Sequence, residues 1–339
     1  MQMSQAIQAV IDKKDLSKDD MMSVMKTIMS GEASQAQIGG FLVGLRMKGE
    51  TIDEITAAAS VMRELASKVE VNAEHLIDTC GTGGDGSHVF NVSTASALVA
   101  AAAGAKVAKH GNRSVSSKCG SADVLELAGV NLNITPQQVA SCIETVGVGF
   151  MFAPMHHSSM KHAIGPRREM GVRTIFNVLG PLTNPASAPN QVLGVFSKEL
   201  VEPVARVLKN LGSQHVMVVH SADGMDEISV GANTFVAELK NGAIKCYEVS
   251  PEDFEIPIQP LNSLQVESAE QSLALINGVL DNQPGAARDI VLLNAGAAIY
   301  VAGIASSQQE GIEKAESVLH SGAAKQTFAK LVQLTQEMK

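Results

Sequence analysis

The chain has 339 residues, 45% of them hydrophobic, and a formal net charge of −9. Its length suffices for two domains with a sizeable core, and its acidity argues against a protein that coats nucleic acid or an anionic membrane, because both need a positive field. The four cysteines form no C-x-x-C pair, so neither a disulfide framework nor a thiolate zinc site is indicated. Because no signal peptide or membrane-length apolar run is apparent, we expect a cytoplasmic protein.

Three capping signals divide the first seventy residues into short helices. Ser17, Ser34 and Thr51 each stand three residues before a carboxyl or amide side chain, a spacing that satisfies the free N–H groups of a helix start. Gly31 and Gly49 are placed to end two of these helices. The apolar residues recur at helical spacing: Met21, Val24, Met25 and Ile28; Ile38, Phe41, Leu42 and Leu45; and Ile55, Met62 and Leu65.

This helical region is too small to cover all its apolar faces by itself. We therefore expect this region to pack on the second domain or on another subunit, and we predict a homodimer formed through the helical domain. We place that domain at residues 1–72 and the remainder of the chain, 73–339, in an α/β domain. The proline- and glycine-rich stretch from Gly165 to Pro185 predicts an excursion from the sheet, so that roughly 167–188 join the helical domain in space.

From about Val71 the pattern changes to short β-type runs that alternate with helices, which is typical of an α/β sheet. Asn241-Gly242 between two such runs predicts a hairpin, and hence an antiparallel edge on an otherwise parallel sheet. Helices are predicted at Ser93–Ala103 and after Thr135-Pro136. The predicted strands are His75–Asp78, Lys106–Lys109, Val148–Phe152, Val192–Val195, His215–Val219, Thr234–Leu239 and Ile244–Val249.

A glycine loop, Gly81-Thr82-Gly83-Gly84-Asp85-Gly86, follows the first predicted strand, and no acidic residue occurs from Ser87 to Ala122. The loop matches G-x-G-x-x-G, but the acidic residue that a dinucleotide site needs about twenty positions later is missing. The Gly-Lys-Ser/Thr of a P-loop is also absent from it. A glycine turn that only reverses the chain remains possible for the loop taken alone.

Two neighbouring segments favour a phosphate site over a simple turn. Asn91-Val92-Ser93-Thr94 open a predicted helix, whose N-terminus presents free N–H groups and a partial positive charge. Lys109-His110-Gly111-Asn112-Arg113-Ser114-Val115-Ser116-Ser117 follow a predicted strand and supply cations and hydroxyls. Ser93 and Thr94 taken singly are also ordinary helix caps. The combination within forty residues predicts a polyphosphate ligand.

Asp226 and Glu227 come soon after the predicted strand His215–Val219. Carboxylates at the end of a parallel strand suit Mg²⁺, which prefers oxygen ligands and bridges substrate phosphates. An ordinary solvated acidic turn is the alternative. Because polyphosphates usually bind together with Mg²⁺, the phosphate site favours the metal.

A third cluster runs from Pro154 to His162 and is followed by Arg167-Arg168-Glu169. The adjacent His156 and His157 point in different directions on any regular element, which disfavours a zinc pair. Either arginine fits a carboxylate of a second substrate or a surface ion pair with Glu169. The sequence leaves both possibilities open.

Taken in order, these motifs closely resemble the anthranilate phosphoribosyltransferase family of tryptophan biosynthesis. The motifs are Gly81 to Asp85, Asn91 to Thr94, Lys109 to Arg113, Gly120-Ser121-Ala122-Asp123, Arg167-Arg168-Glu169 and Asp226-Glu227. The resemblance implies a small N-terminal helical domain hinged to a larger α/β domain with a mostly parallel central sheet, of the nucleoside phosphorylase and phosphoribosyltransferase type. It also implies transfer of the phosphoribosyl group from 5-phosphoribosyl 1-diphosphate to the amine of anthranilate, with Mg²⁺ and usually as a homodimer.

The resemblance further implies a role for each matching residue, with no protein nucleophile or obligatory base. Magnesium would be bound by Ser93, Asp226 and Glu227. Anthranilate would be contacted by Gly81, Asn112 and Arg167, with His110 and His157 nearby. The phosphoribosyl diphosphate would be bound by Gly81, Gly84, Asp85, Asn91, Val92, Ser93, Thr94, Lys109, His110, Gly111, Asn112, Arg113, Ser114, Val115, Ser116, Ser117 and Ser121.

The sequence departs from the family pattern at Val89, where many relatives have threonine, and at Ser158, where proline is common. Neither is a metal or principal acceptor residue. One alternative is a pyrimidine nucleoside phosphorylase, which shares the architecture but for which Lys109 to Arg113, Arg167 and the acidic pair are less suited. Another is a non-catalytic relative that binds nucleic acid, which the net charge disfavours.

Overall fold

A computed structural model describes residues 1–113 and 119–338. None of the helices in these ranges combines the length and apolar composition needed to cross a membrane. The helices are α1 Met3–Ile11, α2 Lys18–Ser30, α3 Gln35–Lys48, α4 Ile52–Leu65, α5 Val92–Ala102, α6 Ser121–Leu127, α7 Pro136–Val146, α8 Ala153–His156, α9 Lys161–Met170, α10 Phe176–Leu179, α11 Val201–Asn210, α12 Ala269–Leu280, α13 Ala286–Val301, α14 Gln308–His320 and α15 Ala323–Glu337. The strands are β1 Leu76–Gly81, β2 Lys106–Gly111, β3 Val148–Phe152, β4 Asn190–Gly194, β5 His215–Ser221, β6 Thr234–Lys240 and β7 Ala243–Val249.

The predicted caps set the boundaries of the N-terminal helices. Ser17, Ser34 and Thr51 precede α2, α3 and α4, and each side chain accepts a hydrogen bond from the N–H three residues on. Gly31 and Gly49 end α2 and α3, as predicted. The apolar stripes are buried except at Leu65, which is 43% exposed. Leu65 is the last residue of α4, so the predicted helix includes it although its side chain is exposed.

A buried ion pair joins the start of α4 to the end of α3. Glu54 is fully buried, and its Oε2 accepts hydrogen bonds from Lys48 Nζ at 2.9 Å and Thr51 N at 2.8 Å. Its Oε1 accepts from Leu16 N at 2.9 Å. A buried carboxylate is stable only when it is paired and hydrogen-bonded. Glu54 therefore fixes the α1–α2 loop at Leu16 and the α3–α4 loop at Thr51.

The seven-stranded sheet has the order β3-β2-β1-β4-β5-β6-β7. The pairs from β3 through β5 are parallel, as predicted. The order in which strands are added reverses between β1 and β4. From β1 the chain adds β2 and β3 on one side of the sheet, and then β4 and β5 on the other. Open α/β sheets bind ligands at the carboxyl ends of strands that flank such a switch point.

The antiparallel edge predicted from Asn241-Gly242 is confirmed. β6 pairs antiparallel with both β5 and β7, and Asn241 and Gly242 have φ of +52° and +75°, as a type I′ hairpin turn requires. Glu238 on β6 accepts hydrogen bonds from His215, Tyr247 and Tyr300. These contacts tie the edge of the sheet to β5 and α13.

Alternate residues of β5 enter two different apolar cores. Met217 and Val219 pack with α5, α7 and α12 to α15 on one face, and Val216 and Val218 pack with α11 and the N-terminal helices on the other. The period of two follows from the pleat of a strand. No helix is predicted after residue 250, yet α12 to α15 belong to the core on one face of the sheet together with α5 and α7.

The excursion expected between Gly165 and Pro185 contains α9 and α10. Helix α9 packs against α2 and α3, and Ala163 and Leu182 belong to the same apolar core as the N-terminal helices. The segment then returns to the sheet at β4. Residues 161–182 are thus in contact with both the helical bundle and the strands.

The Glu238 cluster gives a test of the sheet edge. Burial alone would raise the pKa of Glu238, but hydrogen bonds from His215, Tyr300 and Tyr247 outweigh it and lower the pKa to about 2. The unfolded value is about 4.3, so this stabilisation is complete above that pH and is lost as the pH falls toward the folded pKa. We expect Glu238→Gln to lower the free energy of unfolding at neutral pH by about 1–2 kcal/mol, after discounting for partial exposure.

Urea unfolding of the wild type and the variant across the acidic range is the measurement. The deficit of Glu238→Gln should shrink between about pH 5 and pH 3. Glu248→Gln, an exposed position on β7, is the control and should change stability by less than about 0.5 kcal/mol. A deficit that stays constant with pH contradicts the assignment.

Candidate active site

The glycine loop leaves the carboxyl end of β1 at the switch point of the sheet. Gly83, Gly84 and Gly86 have φ of +63°, +74° and +78°, a conformation that glycine adopts without the steric cost of a Cβ atom. Thr82 N donates to Gly194 O at 2.9 Å, which ties the loop to the end of β4. The loop is therefore held over the ends of the two strands that flank the switch point.

Asp226 lies against this loop. Its Oδ2 accepts a hydrogen bond from Gly83 N at 2.7 Å. A Cβ atom on Gly81 would overlap the Asp226 carboxylate, and one on Gly194 would overlap the Asp226 backbone carbonyl. Since any larger residue would displace Asp226, glycine is required at the carboxyl ends of both β1 and β4.

A buried acid, Asp226, and a half-buried acid, Glu227, meet at this point. Burial, and then the nearby charge of Asp85, raises the pKa of Asp226 to about 6. Burial, and then the charge of Asp226, raises the pKa of Glu227 well above its usual range. Two carboxylates that repel each other in a buried site favour a cation between them.

Ser93 and Lys109 complete the contacts around the acidic pair. Ser93 N, in the first turn of α5, donates to Glu227 Oε1 at 3.2 Å. Lys109 Nζ donates to Ser93 Oγ at 3.1 Å and to Thr79 O at 2.5 Å. Burial lowers the pKa of Lys109 despite the opposing charges of the acids around it. The structure thus brings together all three residues predicted to bind metal.

The start of α5 carries an unsatisfied hydroxyl. The helix begins at Val92, as the sequence predicted to within one residue, and its N-cap Asn91 makes no side-chain cap. Thr94 Oγ1 is buried and has no hydrogen-bond partner among residues 1–113 and 119–338. Because buried polar atoms are nearly always satisfied, Thr94 indicates that a polar ligand belongs at this helix start.

Part of the second predicted cluster lies outside the described residues, namely Ser114, Val115, Ser116 and Ser117. Of the rest, Gly111 ends β2 so close to Ser121 Oγ that a Cβ atom would overlap the hydroxyl. Asn112 O accepts from Ala122 N at 3.3 Å. Asn91 Oδ1 accepts from Ser272 Oγ at 2.8 Å, which links the start of α5 to α12.

Arg113 does not extend toward the acidic pair in this structure. Its guanidinium bonds to both carboxylate oxygens of Glu126, at 2.8 and 2.9 Å, and to Asp123 at 3.2 Å. The carboxylate-free stretch between Ser87 and Ala122 is therefore not carboxylate-free in space. Asp123 and Glu126, which follow the stretch within four residues of its end, are brought beside Arg113 by helix α6.

The two adjacent arginines differ in solvent exposure. Arg167 is half-buried and Arg168 is exposed. The Arg167 guanidinium lies 5.2 Å from the centroid of the Phe176 ring, and burial lowers its pKa. Within the described part of the chain it makes no ion pair with Glu169. The surface ion pair left open by the sequence is thus absent there.

The adjacent histidines have different environments. His156 Nδ1 lies 3.0 Å from Ser67 O, which anchors α8 to the segment after α4. His157 is buried, and its Nε2 has no hydrogen-bond partner in the two described ranges. Burial, followed by the charges of His110 and His156, lowers the pKa of His157 to about 4. His157 is accordingly a neutral imidazole with one unsatisfied nitrogen.

Arg173 contacts the glycine loop, a role that was not predicted from the sequence. Its Nη2 donates to Gly84 O, and its guanidinium lies 4.2 Å from the centroid of the Phe196 ring. It joins the segment between α9 and α10 to the glycine loop. No local pattern around Arg173 distinguishes it from a surface arginine, so the sequence offers no signal for this role.

His110 is bonded through both ring nitrogens. Nδ1 lies 2.6 Å from Asp78 Oδ2, and Nε2 lies 2.9 Å from Gly180 O. Asp78, Cys80 and His110 place three possible metal ligands within 4.8 Å of one another. Both His110 nitrogens are already engaged, and burial raises the pKa of the Cys80 thiol well above its usual range. The group is therefore a hydrogen-bonded cluster and not a metal site.

Asp78 was also missed as a site residue. The sequence analysis placed it in a strand and gave it no further role. A carboxylate inside a buried parallel strand must have a partner, and that rule is the signal that could have identified it.

Comparisons with known proteins cover nearly the whole chain. Residues 4–66 match the model "Glycosyl transferase family, helical bundle domain", and residues 73–325 match "Glycosyl transferase family, a/b domain". The anthranilate phosphoribosyltransferase of Thioalkalivibrio sulfidiphilus is 67% identical over 335 residues, which are 99% of each chain.

Solved structures agree with these matches. The crystal structure of anthranilate phosphoribosyltransferase from Thermus thermophilus superposes with a TM-score of 0.93 at 42% identity and covers 98% of this chain and 99% of that one. The Saccharomyces cerevisiae structure in complex with PRPP and Mg gives a TM-score of 0.90 at 26% identity, with 99% and 98% covered. The helical bundle and the α/β sheet are both included in these superpositions.

Proposed function

This chain belongs to the anthranilate phosphoribosyltransferases, and on that premise we propose how its residues share the two substrates. The enzyme transfers the phosphoribosyl group from 5-phosphoribosyl 1-diphosphate to the amine of anthranilate, giving N-(5-phosphoribosyl)anthranilate and diphosphate in tryptophan biosynthesis. The relatives support this reaction over the phosphorylase and the nucleic-acid-binding alternatives.

The observation that carries the proposal is the meeting of four chain segments under the glycine loop. The segments are the glycine loop, the start of α5, the end of β2 and the Asp226-Glu227 pair: Gly83 bonds to Asp226, and Ser93 bonds to both Glu227 and Lys109. We assign the phosphoribosyl diphosphate to this group and to the start of α5. The unsatisfied Thr94 hydroxyl and the free N–H groups of the helix start are suited to its phosphate oxygens.

We propose that Asp226 and Glu227 bind magnesium, with Ser93 beside them. The donor set fits, because two neighbouring carboxylates of raised pKa and a hydroxyl are oxygen ligands of the kind Mg²⁺ prefers. When bound, the metal neutralises charge on the diphosphate leaving group. Lys109, buried and bonded to Ser93, contributes a fixed positive charge at the same place.

For the acceptor we propose Arg167 as the partner of the anthranilate carboxylate, with Gly81 and Asn112 as further contacts. The half-buried guanidinium of Arg167 lacks an acidic partner in the described ranges, and a guanidinium binds a carboxylate through two parallel hydrogen bonds. His110 has both nitrogens engaged, and His157 is a weak base because its pKa is about 4. Both therefore shape the pocket in this proposal.

The proposed mechanism needs no protein nucleophile and no obligatory base. The residues under the glycine loop hold the donor, while Arg167 orients the acceptor amine toward the sugar carbon. Positioning and charge stabilisation supply the catalysis. The ammonium formed on attack loses its proton readily, so a side chain need not remove it.

We propose that residues 1–72, joined by about 167–188, move against residues 73–339 to close the site and exclude water. The contacts of α9 with α2 and α3 support that grouping. A cytoplasmic location stays a prediction.

We also propose a homodimer through the helical domain. Ile11, Val43 and Met47 are 61%, 38% and 78% exposed. Gly44 packs against Val10, which places the end of α1 beside the same part of α3. These three residues therefore form an apolar patch, for which a second copy of the chain is the proposed partner.

The metal assignment predicts the behaviour of Asp226→Asn combined with Glu227→Gln. Without the two charges, magnesium-dependent turnover should fall by at least about 100-fold, measured by loss of anthranilate fluorescence across a magnesium titration. Asp223→Asn is the matched control, since its carboxylate bonds to Ser229 Oγ and Met225 N within the same turn. If the double variant keeps the wild-type magnesium response, the assignment is wrong.

The acceptor assignment predicts different effects for neighbouring arginines. Arg167→Gln should raise the KM for anthranilate by at least about tenfold, equivalent to roughly 1.4 kcal/mol, with little change in the KM for phosphoribosyl diphosphate. Arg168→Gln, at the adjacent exposed position, should leave both constants near wild type. Steady-state kinetics with each substrate varied will measure this, and equal effects of the two substitutions would reject Arg167 as the anchor.

If the chain dimerises through the patch of Ile11, Val43 and Met47, a charge placed in that patch should halve the molecular mass in solution. Met47→Glu should convert a dimer into a monomer, because it places a charge in the proposed apolar interface. Analytical ultracentrifugation at micromolar concentration measures the mass. Leu127→Glu, at a position 46% exposed on the α/β side, should leave the dimer intact. A monomeric wild type refutes the proposal.

A further inference from the structure

Three consecutive backbone carbonyls fix the segment that returns from α10 to the sheet. Gly180 O lies 2.9 Å from His110 Nε2 on β2. Pro181 O accepts from Gln191 Nε2 on β4 at 2.7 Å. Leu182 O accepts from Arg63 Nε on α4 at 2.7 Å. Each carbonyl therefore bonds to a side chain of a different element.

Asp78 orients two of these three donors. It lies on β1 between β2 and β4 and is fully buried. Its Oδ2 lies 2.6 Å from His110 Nδ1 and 3.2 Å from Gln191 Nε2. One buried carboxylate thus determines the direction of both side chains that bond to Gly180 and Pro181.

The geometry also determines the protonation of His110. Each ring nitrogen faces an oxygen that only accepts hydrogen bonds, a carboxylate on one side and a carbonyl on the other. Both nitrogens are therefore placed to donate, which assigns an imidazolium to His110; the Asn184 amide nitrogen, 3.5 Å from Nδ1, already donates to Ala108 O at 2.8 Å. Burial opposes that charge, but Asp78 outweighs the burial and raises the pKa of His110. A doubly donating ring has no lone pair with which to accept a proton from the substrate.

The segment fixed in this way carries the proposed acceptor anchor. Gly180 directly follows α10, which begins at Phe176, and the Arg167 guanidinium lies over the Phe176 ring. Any loosening of Gly180 and Pro181 is transmitted through this one-turn helix to the surface on which Arg167 rests.

We propose that Asp78 is a positioning residue for the acceptor substrate: by holding His110 as a double donor and orienting Gln191, it fixes the 180–182 carbonyls and thereby Arg167. The proposal rests on the assignment of Arg167 to anthranilate made above. Asp78 itself touches no proposed substrate group. Its effect should therefore appear in acceptor binding rather than in donor binding.

Asp78→Asn tests this with a side chain of the same size. The amide oxygen accepts one hydrogen bond from His110 Nδ1 but provides no charge to stabilise a second ring proton. His110 becomes neutral, so its ring can donate from only one nitrogen, and the arrangement in which it donates to both residue 78 and Gly180 O is lost. We expect the KM for anthranilate to rise at least about tenfold, the KM for phosphoribosyl diphosphate to change less than about threefold, and kcat to change less than the anthranilate KM.

Nitrogen NMR of enzyme labelled with ¹⁵N-histidine provides a readout that a merely structural role would not change. The wild type should show His110 with two protonated nitrogens, and Asp78→Asn should show one protonated and one free nitrogen. The His110 signals are identified by their loss in His110→Gln. An imidazolium that persists in Asp78→Asn overturns the proposal.

Gln191→Met is the second variant, and it tests the proposal independently if Asp78→Asn does not fold. It removes the bond to Pro181 O while leaving His110 charged, so the anthranilate KM should rise with no change in the NMR signature. Glu54→Gln is the control, because Glu54 is an equally buried carboxylate paired with a cation in the helical bundle. It should lower the melting temperature without changing the ratio of the two KM values.

An unchanged anthranilate KM in the folded Asp78 or Gln191 variant overturns the proposal. The same KM change in Glu54→Gln also overturns it, because the effect would then be general destabilisation. Arg167→Gln separates this inference from the proposed function. If Arg167→Gln leaves the anthranilate KM unchanged while Asp78→Asn raises it, the anchor assignment fails and the link from Asp78 to Arg167 fails with it.

Discussion

The close contact of Asp226 with the ends of β1 and β4, through its carboxylate and its backbone respectively, is the constraint on which the site depends. Only glycine at positions 81 and 194 allows the chain to come so close. That approach places Asp226 under Gly83 and leaves Glu227 at the start of α5. The raised pKa values of both acids follow from the same packing, because burial is the largest cause in each case.

The structure uses its two kinds of buried carboxylate differently. Asp78 is paired with His110 and Glu54 with Lys48, and each carboxylate accepts further hydrogen bonds. These two acids therefore hold neighbouring segments in place. Asp226 and Glu227 repel one another, and Lys109 is shared with Ser93 and Thr79. Paired acids stabilise the protein by themselves, whereas this second pair is completed by the metal and diphosphate proposed to bind there.

Local sequence patterns predicted local structure well. Ser17, Ser34 and Thr51 fixed helix starts because a cap acts within three residues, and Asn241-Gly242 fixed the hairpin because the turn needs positive φ at both positions. The order of the glycine loop, Asn91 to Thr94, Lys109 and the Asp226-Glu227 pair also carried the family resemblance. Helices α12 to α15 were not predicted.

The sequence by itself therefore determined the caps, the strands, the hairpin and the residue types of a phosphate and metal site, because those signals act over a few neighbouring positions. Only the tertiary structure decided which charges meet. It paired Arg113 with Glu126, left Arg167 without Glu169, and joined Asp78 to His110 and Gln191. These contacts link residues 13 to 113 positions apart, and burial in a shared site, which no local pattern reports, sets their protonation and strength.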